Sequence, residues 1–398
     1  MNTREHIKIV EEYAAHNYAP LPVVLTRGKG VWVEDVEGKK YLDMLSSYSA
    51  LNQGHCHPKI VQVLKEQAER LCLTSRAFHN DQLGPFCKLL CEITGQEQAL
   101  LMNSGAEAVE TAIKCARRWG YTQKGVPNDK AELIVCANNF HGRTITVISF
   151  SSEEFYRDGF GPFTPGFKII PYDDIAALEA AITPNTVGFL IEPIQGEGGV
   201  IVPEPGYLKK AKEVCRQAKI LFILDEIQTG MGRTGRLFCY EYEDAKPDIL
   251  ILGKALGGGC LPVSAILTAK EIMSVFQPGN HGSTFGGNPL ACAVGRAAVE
   301  VTIEEKLAER AKELGEYFQV ELKKINSAKV SEVRGKGLLI GVELVPEAGP
   351  ARTYCERLME LGILAKDTHE MVIRFAPPLV IKKEEIDWAL ERIRRVLS

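Results

Sequence analysis

The chain has 398 residues, 45% of them hydrophobic and 25% charged, a balance typical of a globular protein with two or three domains. A formal net charge of -4 argues against nucleic acid or an anionic membrane as the main partner, which leaves small-molecule chemistry or protein contacts. The eleven cysteines include no Cys-x-x-Cys pair, so we expect reduced, mostly buried thiols and no zinc site.

The N-terminal region predicts a short helix followed by a small antiparallel meander. Residues 1–18, "MNTREHIKIVEEYAAHNY", carry charge throughout and do not resemble a signal peptide, and no uncharged run elsewhere reaches membrane-spanning length. We therefore expect a cytoplasmic protein that does not associate with membranes. Residues 30–45, "GVWVEDVEGKKYLDML", alternate apolar and polar side chains as antiparallel strands do.

From about residue 85, short apolar runs bounded by turn residues alternate with amphipathic stretches. Buried strands followed by helices predict an α/β fold whose mainly parallel sheet is covered by helices. The runs that we interpret as strands are "QALLM", "ELIVC", "TITVISF", "VGFLIEP", "ILFILDE", "DILILG" and "VSAILTA".

The C-terminal part of the chain has a different pattern. A long helical region after Asn288 leads to "VSEVRGKGLLIGVEL", a helix over Thr353–Glu360, "VIRFAPPLVI" and a final amphipathic helix, which predicts a smaller α+β domain. We expect a large domain over residues 46–288 and a small domain over 289–398, which the segment 1–45 would join.

Three of the predicted strands end at polar residues. Asp225 ends "ILFILD", Lys254 follows "DILILG", and Asn103, Ser104 and Gly105 separate "ALLM" from a helix. Ligands of open α/β sheets bind outside the carboxyl ends of the strands. Each residue alone has a simpler explanation, namely a structural salt bridge or cap, a solvated lysine and an ordinary turn.

Together, the three strand ends suit one ligand, pyridoxal 5'-phosphate (PLP). Its aldehyde would react with Lys254 to form a Schiff base, its ring nitrogen would pair with Asp225, and its phosphate would lie at the helix N-terminus. No Walker loop is present and no Gly-x-Gly-x-x-Gly motif opens a helix, which disfavours nucleotide binding. "GHCHP" at 54–58 resembles a metal-binding cluster, but no third ligand group accompanies it, so no metal is expected.

The sequence resembles the class III (omega) aminotransferases, PLP-dependent enzymes of fold type I, over nearly its whole length. The motifs occur in the family's order: "NQGHCHP", "NSGAEAVETAIKCAR", "NNFHGRT", "EPIQGEGG", "DEIQTGMGRTG", "GKALGGG", "HGSTFGGNPLACAV", "RGKGLLIG" and "IRFAPPLVI".

This resemblance implies a role for each residue of a cofactor site. For Phe140 the alternative is packing in the core, and for Thr284 it is an ordinary hydroxyl group in a turn. Two of the residues would come from the partner subunit, so a homodimer with shared active sites is implied. The implied roles are Lys254 for the Schiff base, Asp225 for the ring nitrogen, Gln228 for the phenolic oxygen, Phe140 for stacking, Ser104, Gly105 and Ala106 for the phosphate, and Ser283 and Thr284 for the partner's phosphate.

The resemblance also implies a substrate site. Tyr18, Tyr48 and Arg143 would surround the far end of the substrate, where Arg143 can bind a carboxylate through two hydrogen bonds. Arg374 would lie beside the reacting carbon. At that place the substrate glutamate carries a carboxylate, whereas the substrate ornithine, which reacts at its terminal amine, carries only a CH2 group. Glu197 would neutralise Arg374 while ornithine is bound and move away for glutamate.

Three segments, "LSSYSALNQGHCHP", "TSRAFHN" and "VIRFAPPLVIKK", are most similar to family members that act on ornithine. They imply ping-pong transfer of the δ-amino group of L-ornithine to 2-oxoglutarate, giving L-glutamate and glutamate 5-semialdehyde, which cyclises to pyrroline-5-carboxylate. The alternatives are N-acetylornithine or another omega-amino acid as donor, a PLP-dependent mutase or racemase, a PLP-binding protein without activity, and a Schiff-base lyase that lacks PLP.

Overall fold

A computed structural model describes residues 1–398 and arranges them as three β-sheets with helices packed around them. The strands are β1 (Leu25–Lys29), β2 (Trp32–Asp35), β3 (Lys40–Asp43), β4 (Gln98–Met102), β5 (Glu132–Cys136), β6 (Phe167–Ile170), β7 (Thr186–Ile191), β8 (Leu221–Asp225), β9 (Ile249–Leu252), β10 (Ser264–Thr268), β11 (Val330–Lys336), β12 (Leu339–Leu344), β13 (Ile363–Leu364), β14 (Lys366–Thr368) and β15 (Val372–Phe375).

The helices vary in length from single turns to 17 residues, and none combines the length and apolar character needed to cross a membrane. They are α1 (Thr3–Tyr13), α2 (Ser46–Ser49), α3 (Pro58–Arg70), α4 (Leu83–Thr94), α5 (Gly105–Trp119), α6 (Ile145–Ser149), α7 (Glu154–Arg157), α8 (Ile175–Ala181), α9 (Tyr207–Ala218), α10 (Lys270–Met273), α11 (Pro289–Glu304), α12 (Leu307–Lys323), α13 (Ala351–Glu360) and α14 (Lys383–Leu397).

A seven-stranded sheet with the order β4-β10-β9-β8-β7-β5-β6 forms the centre of the fold. The pairs from β9 to β6 are parallel, whereas β10 runs antiparallel to both of its neighbours. The predicted α/β class with a mainly parallel sheet is therefore confirmed. Because β10 reverses direction between β4 and β9, the carboxyl ends of β4, β5, β7, β8 and β9 lie at the same edge.

The strand prediction was wrong for residues 144–150. Ile145–Ser149 form helix α6, which packs on α5 and buries Val147 and Ile148. The run is rich in β-branched residues, but β-propensity depends on context, and packing on α5 decides the local structure here. The sheet gains its edge strand instead from Phe167–Ile170, which the sequence analysis did not predict.

Helices cover both faces of the central sheet, as alternation along β8 illustrates. Phe222 and Leu224 belong to one buried apolar cluster, and Leu221 and Ile223 belong to another on the opposite face. Successive side chains of a strand point to opposite faces, so a strand buried on both sides is a continuous apolar run.

The N-terminal meander packs with the C-terminal part of the chain. Strand β3 pairs in parallel with β13, and Leu42 and Met44 belong to the same buried cluster as residues of β12, β15 and α14. Helix α11 contributes side chains to this cluster and to one beside the central sheet. The packing supports our proposal that 1–45 and 289–398 form one domain, with α11 joining it to the large domain.

The four residues of the short element α2, Ser46–Ser49, form a left-handed turn, since φ is 47°, 48°, 60° and 71° at these residues. The neighbouring Arg233 guanidinium is buried and holds this turn. It donates hydrogen bonds to Ser46 Oγ (3.0 Å), Asn52 Oδ1 (2.5 Å) and the carbonyl oxygens of Leu338 (3.0 Å) and Pro377 (2.6 Å). Arg233 thus connects the large domain, the turn and the C-terminal strands.

Gly315 in α12 lies so close to another chain segment that a side chain would not fit. A Cβ atom there would be 2.0 Å from the carbonyl oxygen of Gly337. We expect Gly315→Ala to destabilise the protein by about 1 to 3 kcal/mol, although alanine is the better helix former. Thermal unfolding measures the effect, with the exposed neighbour Glu316→Ala as control. An unchanged or higher Tm would contradict this packing.

Candidate active site

The carboxyl ends of the parallel strands surround a cavity of about 200 Å³. Asp225 is the last residue of β8, Lys254 follows β9 by two residues, and Glu192 directly follows β7. The loop after β5 and the start of α5 close the remaining sides. The residues that line the cavity are Gly105, Ala106, Phe140, His141, Gly142, Glu192, Ile194, Glu197, Asp225, Ile227, Gln228, Thr229 and Lys254.

Lys254 begins a 3-10 turn and itself adopts a left-handed conformation, with φ of 44°. Its amine makes neither a hydrogen bond nor a salt bridge with the protein. Burial lowers the pKa of Lys254, and the carboxylate of Glu197 opposes that shift. The side chain therefore presents to the cavity an amine that loses its proton more readily than an ordinary lysine, which favours nucleophilic attack on a carbonyl carbon.

Asp225 is buried and is bound to two protein groups. Its Oδ2 atom lies 2.7 Å from His141 Nδ1, and its Oδ1 accepts the Ile227 N–H at 3.0 Å. Burial alone would lower the pKa of His141, but the hydrogen bond and charge of Asp225 outweigh it and raise that pKa. Asp225 therefore forms a structural salt bridge with His141, the alternative role considered for it above. Its carboxylate still has lone pairs for a ligand in the cavity.

Helix α5 begins beside the cavity, as predicted from "NSGAEAVE". Ser104 is its N-cap, and Ser104 Oγ accepts the Glu107 N–H at 3.2 Å. The Ser104 hydroxyl is therefore engaged in capping, and of the predicted phosphate ligands only Gly105 and Ala106 line the cavity. Backbone N–H groups of a first helical turn have no partner within the helix, so this end suits an anion.

The backbone comes close to α5 at Gly142. A Cβ atom on Gly142 would lie 2.8 Å from Ala106 Cβ, and φ there is 130°. A side chain at this position would narrow the space in front of the helix N-terminus. Because Gly142 has no side chain, the site has room for an anionic group at the N-terminus of α5.

Phe140 and Gln228 occupy other sides of the cavity. Phe140 is held by its backbone N–H, which donates to Glu192 Oε2 at 3.0 Å. Gln228 Nε2 donates to Glu197 Oε1 at 3.1 Å and to the Tyr48 carbonyl oxygen at 3.3 Å. Gln228 thus connects the small cavity to the residues predicted to contact substrate.

A second, wider cavity of about 780 Å³ adjoins the first and contains most of the predicted substrate residues. Tyr18, Tyr48, Arg143 and Glu197 line it, and Phe140 and Glu197 belong to both cavities. Arg374 on β15 is buried behind Glu197. The sequence predictions for these residues therefore converge on one connected space.

Arg374, which is buried, forms an ion pair with the partly exposed Glu197. Arg374 is 1% exposed, and its Nη1 lies 2.6 Å from Glu197 Oε1. Burial opposes ionisation of Glu197, but the positive charges of Arg374 and Lys254 lower its pKa to about 2. The Nε and Nη2 atoms of Arg374 are buried without a partner, so its guanidinium can still donate to another anion.

Ser283 and Thr284 lie outside both cavities of this chain. Ser283 Oγ accepts from Asn103 Nδ2 at 3.0 Å, and Thr284 is exposed on the same loop. Their proposed role toward a partner's phosphate stays a prediction. His55 and His57 are hydrogen-bonded to Asp43 and Glu305, and no group of three metal-ligating side chains occurs.

Two ionisable residues of the cavity, His141 and Glu192, were missed by the sequence analysis, as was the hydroxyl of Thr229. Glu192 directly follows the run "VGFLI", so the strand-end rule that selected Asp225 applies to it equally. His141 lies within "NNFHGRT", but only the fold places it against Asp225. His141 Nε2 is buried without a hydrogen-bond partner.

The donor set fits PLP. A reactive amine, a buried carboxylate and a helix N-terminus line one small cavity, where they match the aldehyde, the ring nitrogen and the phosphate.

Comparisons with known proteins give a consistent result. Residues 13–397 match the model of the family aminotransferase class-III. The ornithine aminotransferase of Brevibacillus brevis is 61% identical over 391 residues, which are 98% of this chain and 97% of that protein.

Two solved structures are similar over the whole chain. An ornithine aminotransferase from Toxoplasma gondii, with partial occupancy of PLP at its active site, superposes with a TM-score of 0.98 at 49% identity and covers 100% of this chain and 94% of that one. An acetylornithine aminotransferase from Elizabethkingia anophelis has a TM-score of 0.91 at 50% identity and covers 100% and 99% of the two chains.

Glu192 allows a test of the electrostatics of the cavity, because burial raises its pKa to about 7. A carboxyl group whose pKa is higher in the folded than in the unfolded protein stabilises less as the pH rises between the two values. We expect the Tm of Glu192→Gln, relative to wild type, to increase from pH 5 to pH 8 in protein without added cofactor. Exposed Glu179→Gln is the matched control for loss of one charge, and a Tm difference independent of pH would contradict the burial.

Proposed function

The chain belongs to the class III aminotransferases, and from this we propose that it transfers the δ-amino group of L-ornithine to 2-oxoglutarate. The observation that carries the proposal is the ion pair between buried Arg374 and Glu197, which lines the cavity with Lys254. While Glu197 neutralises Arg374, the site would accept a substrate with a CH2 group next to the reacting carbon, as in ornithine. When the carboxylate moves aside, the same arginine can bind the α-carboxylate of glutamate or 2-oxoglutarate.

The residues of the small cavity would hold PLP. When bound, PLP supplies an aldehyde for exchange of amino groups and a protonated ring that withdraws electrons from the reacting carbon. Asp225, held by His141, would accept a hydrogen bond from the ring nitrogen. Gly105 and Ala106 would hold the phosphate through their backbone N–H groups, Phe140 would lie against the ring, and Gln228 would donate to the phenolic oxygen.

Lys254 would act as the nucleophile and as the proton carrier. Its lowered pKa makes the neutral amine more accessible than that of an ordinary lysine, and as a neutral amine Nζ would accept the proton removed from the substrate carbon and return it elsewhere. Glu197 stays ionised over the whole physiological range, because its pKa is about 2, and therefore does not compete as a base near neutrality.

The wider cavity would bind the far end of the substrate. Arg143 would bind the carboxylate of ornithine there, and Tyr18 and Tyr48 would offer hydroxyl groups to its α-amino and α-carboxylate groups. The far carboxylate of 2-oxoglutarate would occupy the same place. Arg143 would therefore serve both half-reactions, whereas Arg374 would serve one.

Assembly and location are part of the same proposal. Ser283 and Thr284 lie outside the cavities of their own chain, and a homodimer in which they reach the partner's phosphate would give them a function. All eleven cysteines are free thiols, which suits a reducing compartment such as the cytoplasm.

The substrate proposal is tested by comparing L-ornithine with N-acetylornithine as amino donors. N-acetylornithine is the second candidate because the similar Elizabethkingia structure is that of an acetylornithine aminotransferase. We expect kcat/KM with 2-oxoglutarate to be at least about tenfold higher for free ornithine, because acetylation removes the charge and two donors of the α-amino group. The assay measures glutamate and pyrroline-5-carboxylate, with Lys254→Ala as the inactive control. Faster turnover of N-acetylornithine would instead assign the second activity.

The Arg374–Glu197 pair is tested with Glu197→Ala, which leaves Arg374 without its carboxylate. We expect the ratio of kcat/KM for glutamate to that for ornithine to rise by at least about tenfold, since ornithine would then leave a buried charge unpaired. Glu153→Ala removes a carboxylate from the wider cavity that does not pair with Arg374, so it is the matched control. An unchanged ratio in Glu197→Ala would exclude the exchange of partners.

A further inference from the structure

Arg143 is the one arginine that lines the wider cavity, and no carboxylate neutralises it. No side chain forms a salt bridge with it, and its guanidinium donates no hydrogen bond within the protein, although Glu153 lines the same cavity. An exposed arginine without partners would ordinarily sample many rotamers, and holding one of them costs conformational entropy. Some other contact has to set its direction.

Two aromatic rings make that contact. The Arg143 guanidinium carbon lies 3.6 Å from the centre of the Tyr156 ring and 5.2 Å from the centre of the Phe140 ring. The two rings meet edge to face, with centroids 6.4 Å apart and an angle of 82° between their planes. Phe140 is fixed in turn by the hydrogen bond of its N–H to Glu192.

An aromatic face and a carboxylate have different consequences for an arginine. Both attract the guanidinium, but a ring leaves its net charge uncancelled and its N–H donors available at the edge. Arg374 shows the other case, because Glu197 occupies one of its donors and balances its charge. Arg143 is therefore held in place and remains able to bind an anion.

We propose that Tyr156 is a positioning residue that directs Arg143 toward the substrate carboxylate farthest from the reacting carbon. Tyr156 lies on α7, and no sequence motif pointed to it. The inference rests on the proposed function, in which Arg143 binds that carboxylate. Tyr156 would thereby affect the binding of ornithine and of 2-oxoglutarate alike, without contact to the reacting atoms.

The test replaces the ring in the PLP-loaded enzyme and compares ornithine with putrescine, which is ornithine without its carboxylate. We expect Tyr156→Leu and Tyr156→Met to raise KM for ornithine and 2-oxoglutarate between about threefold and thirtyfold, the range of one cation–π contact, with little change in kcat. Single-turnover reaction with putrescine should be unaffected. Tyr156→Phe keeps the ring face and should restore the wild-type values.

Glutarate binding, measured by calorimetry, gives a readout that does not depend on turnover. The dissociation constant should rise in the Leu and Met variants and not in Tyr156→Phe or in Phe160→Leu, an exposed aromatic of the same segment outside the cavity. Equal losses for ornithine and putrescine, or a Phe variant as impaired as Leu, would overturn the role of Tyr156. Wild-type enzyme that binds glutarate but does not use ornithine would refute the proposed function alone.

Discussion

Mutual neutralisation of charges at one edge of the central sheet is the constraint on which the site depends. The strands end there on ionisable groups in a poorly hydrated cavity, where an unpaired charge costs several kcal/mol. Asp225 pairs with His141, Glu197 pairs with Arg374, and Lys254 carries no partner of its own. Burial lowers the pKa of Lys254, and the lysine has no ion pair of its own to offset that effect.

The two arginines that we propose bind substrate illustrate two ways of holding a guanidinium. Arg374 is buried and paired, so its affinity for an anion depends on whether Glu197 stays in place. Arg143 rests against rings and is available to an anion at all times. This asymmetry suits the proposed function, in which a carboxylate lies beside the reacting carbon in one half-reaction and is absent from that place in the other. The carboxylate at the far end is present in both substrates and needs no such exchange.

Much of this arrangement could be predicted from the sequence, because a buried apolar run that ends on a polar residue marks the carboxyl end of a strand. That rule brought Asp225, Lys254 and the start of α5 together, and the family resemblance added Glu197 and Arg374. Contacts between distant residues could not be predicted, such as His141 with Asp225 or Tyr156 with Arg143. An apolar run does not indicate the direction of its strand, so the reversal of β10 could not be predicted. Such a run can also form a helix, and tertiary packing decides that 145–149 does so. The assigned roles of the site residues stay predictions.

The left-handed turn at Ser46–Ser49 has an evolutionary consequence. Each non-glycine residue in this conformation costs about 1 to 2 kcal/mol, and hydrogen bonds from Arg233 to Ser46 and from Ser46 to Ala376 help to offset it. Tyr48 occupies the third position of the turn and borders the cavity. Glycine would adopt these φ values at lower cost, but at position 46 it would remove the hydroxyl that binds Arg233 and Ala376, and at position 48 it would remove the side chain that borders the cavity. The backbone of this turn and its side chains therefore place opposite demands on the codons for Ser46 and Tyr48.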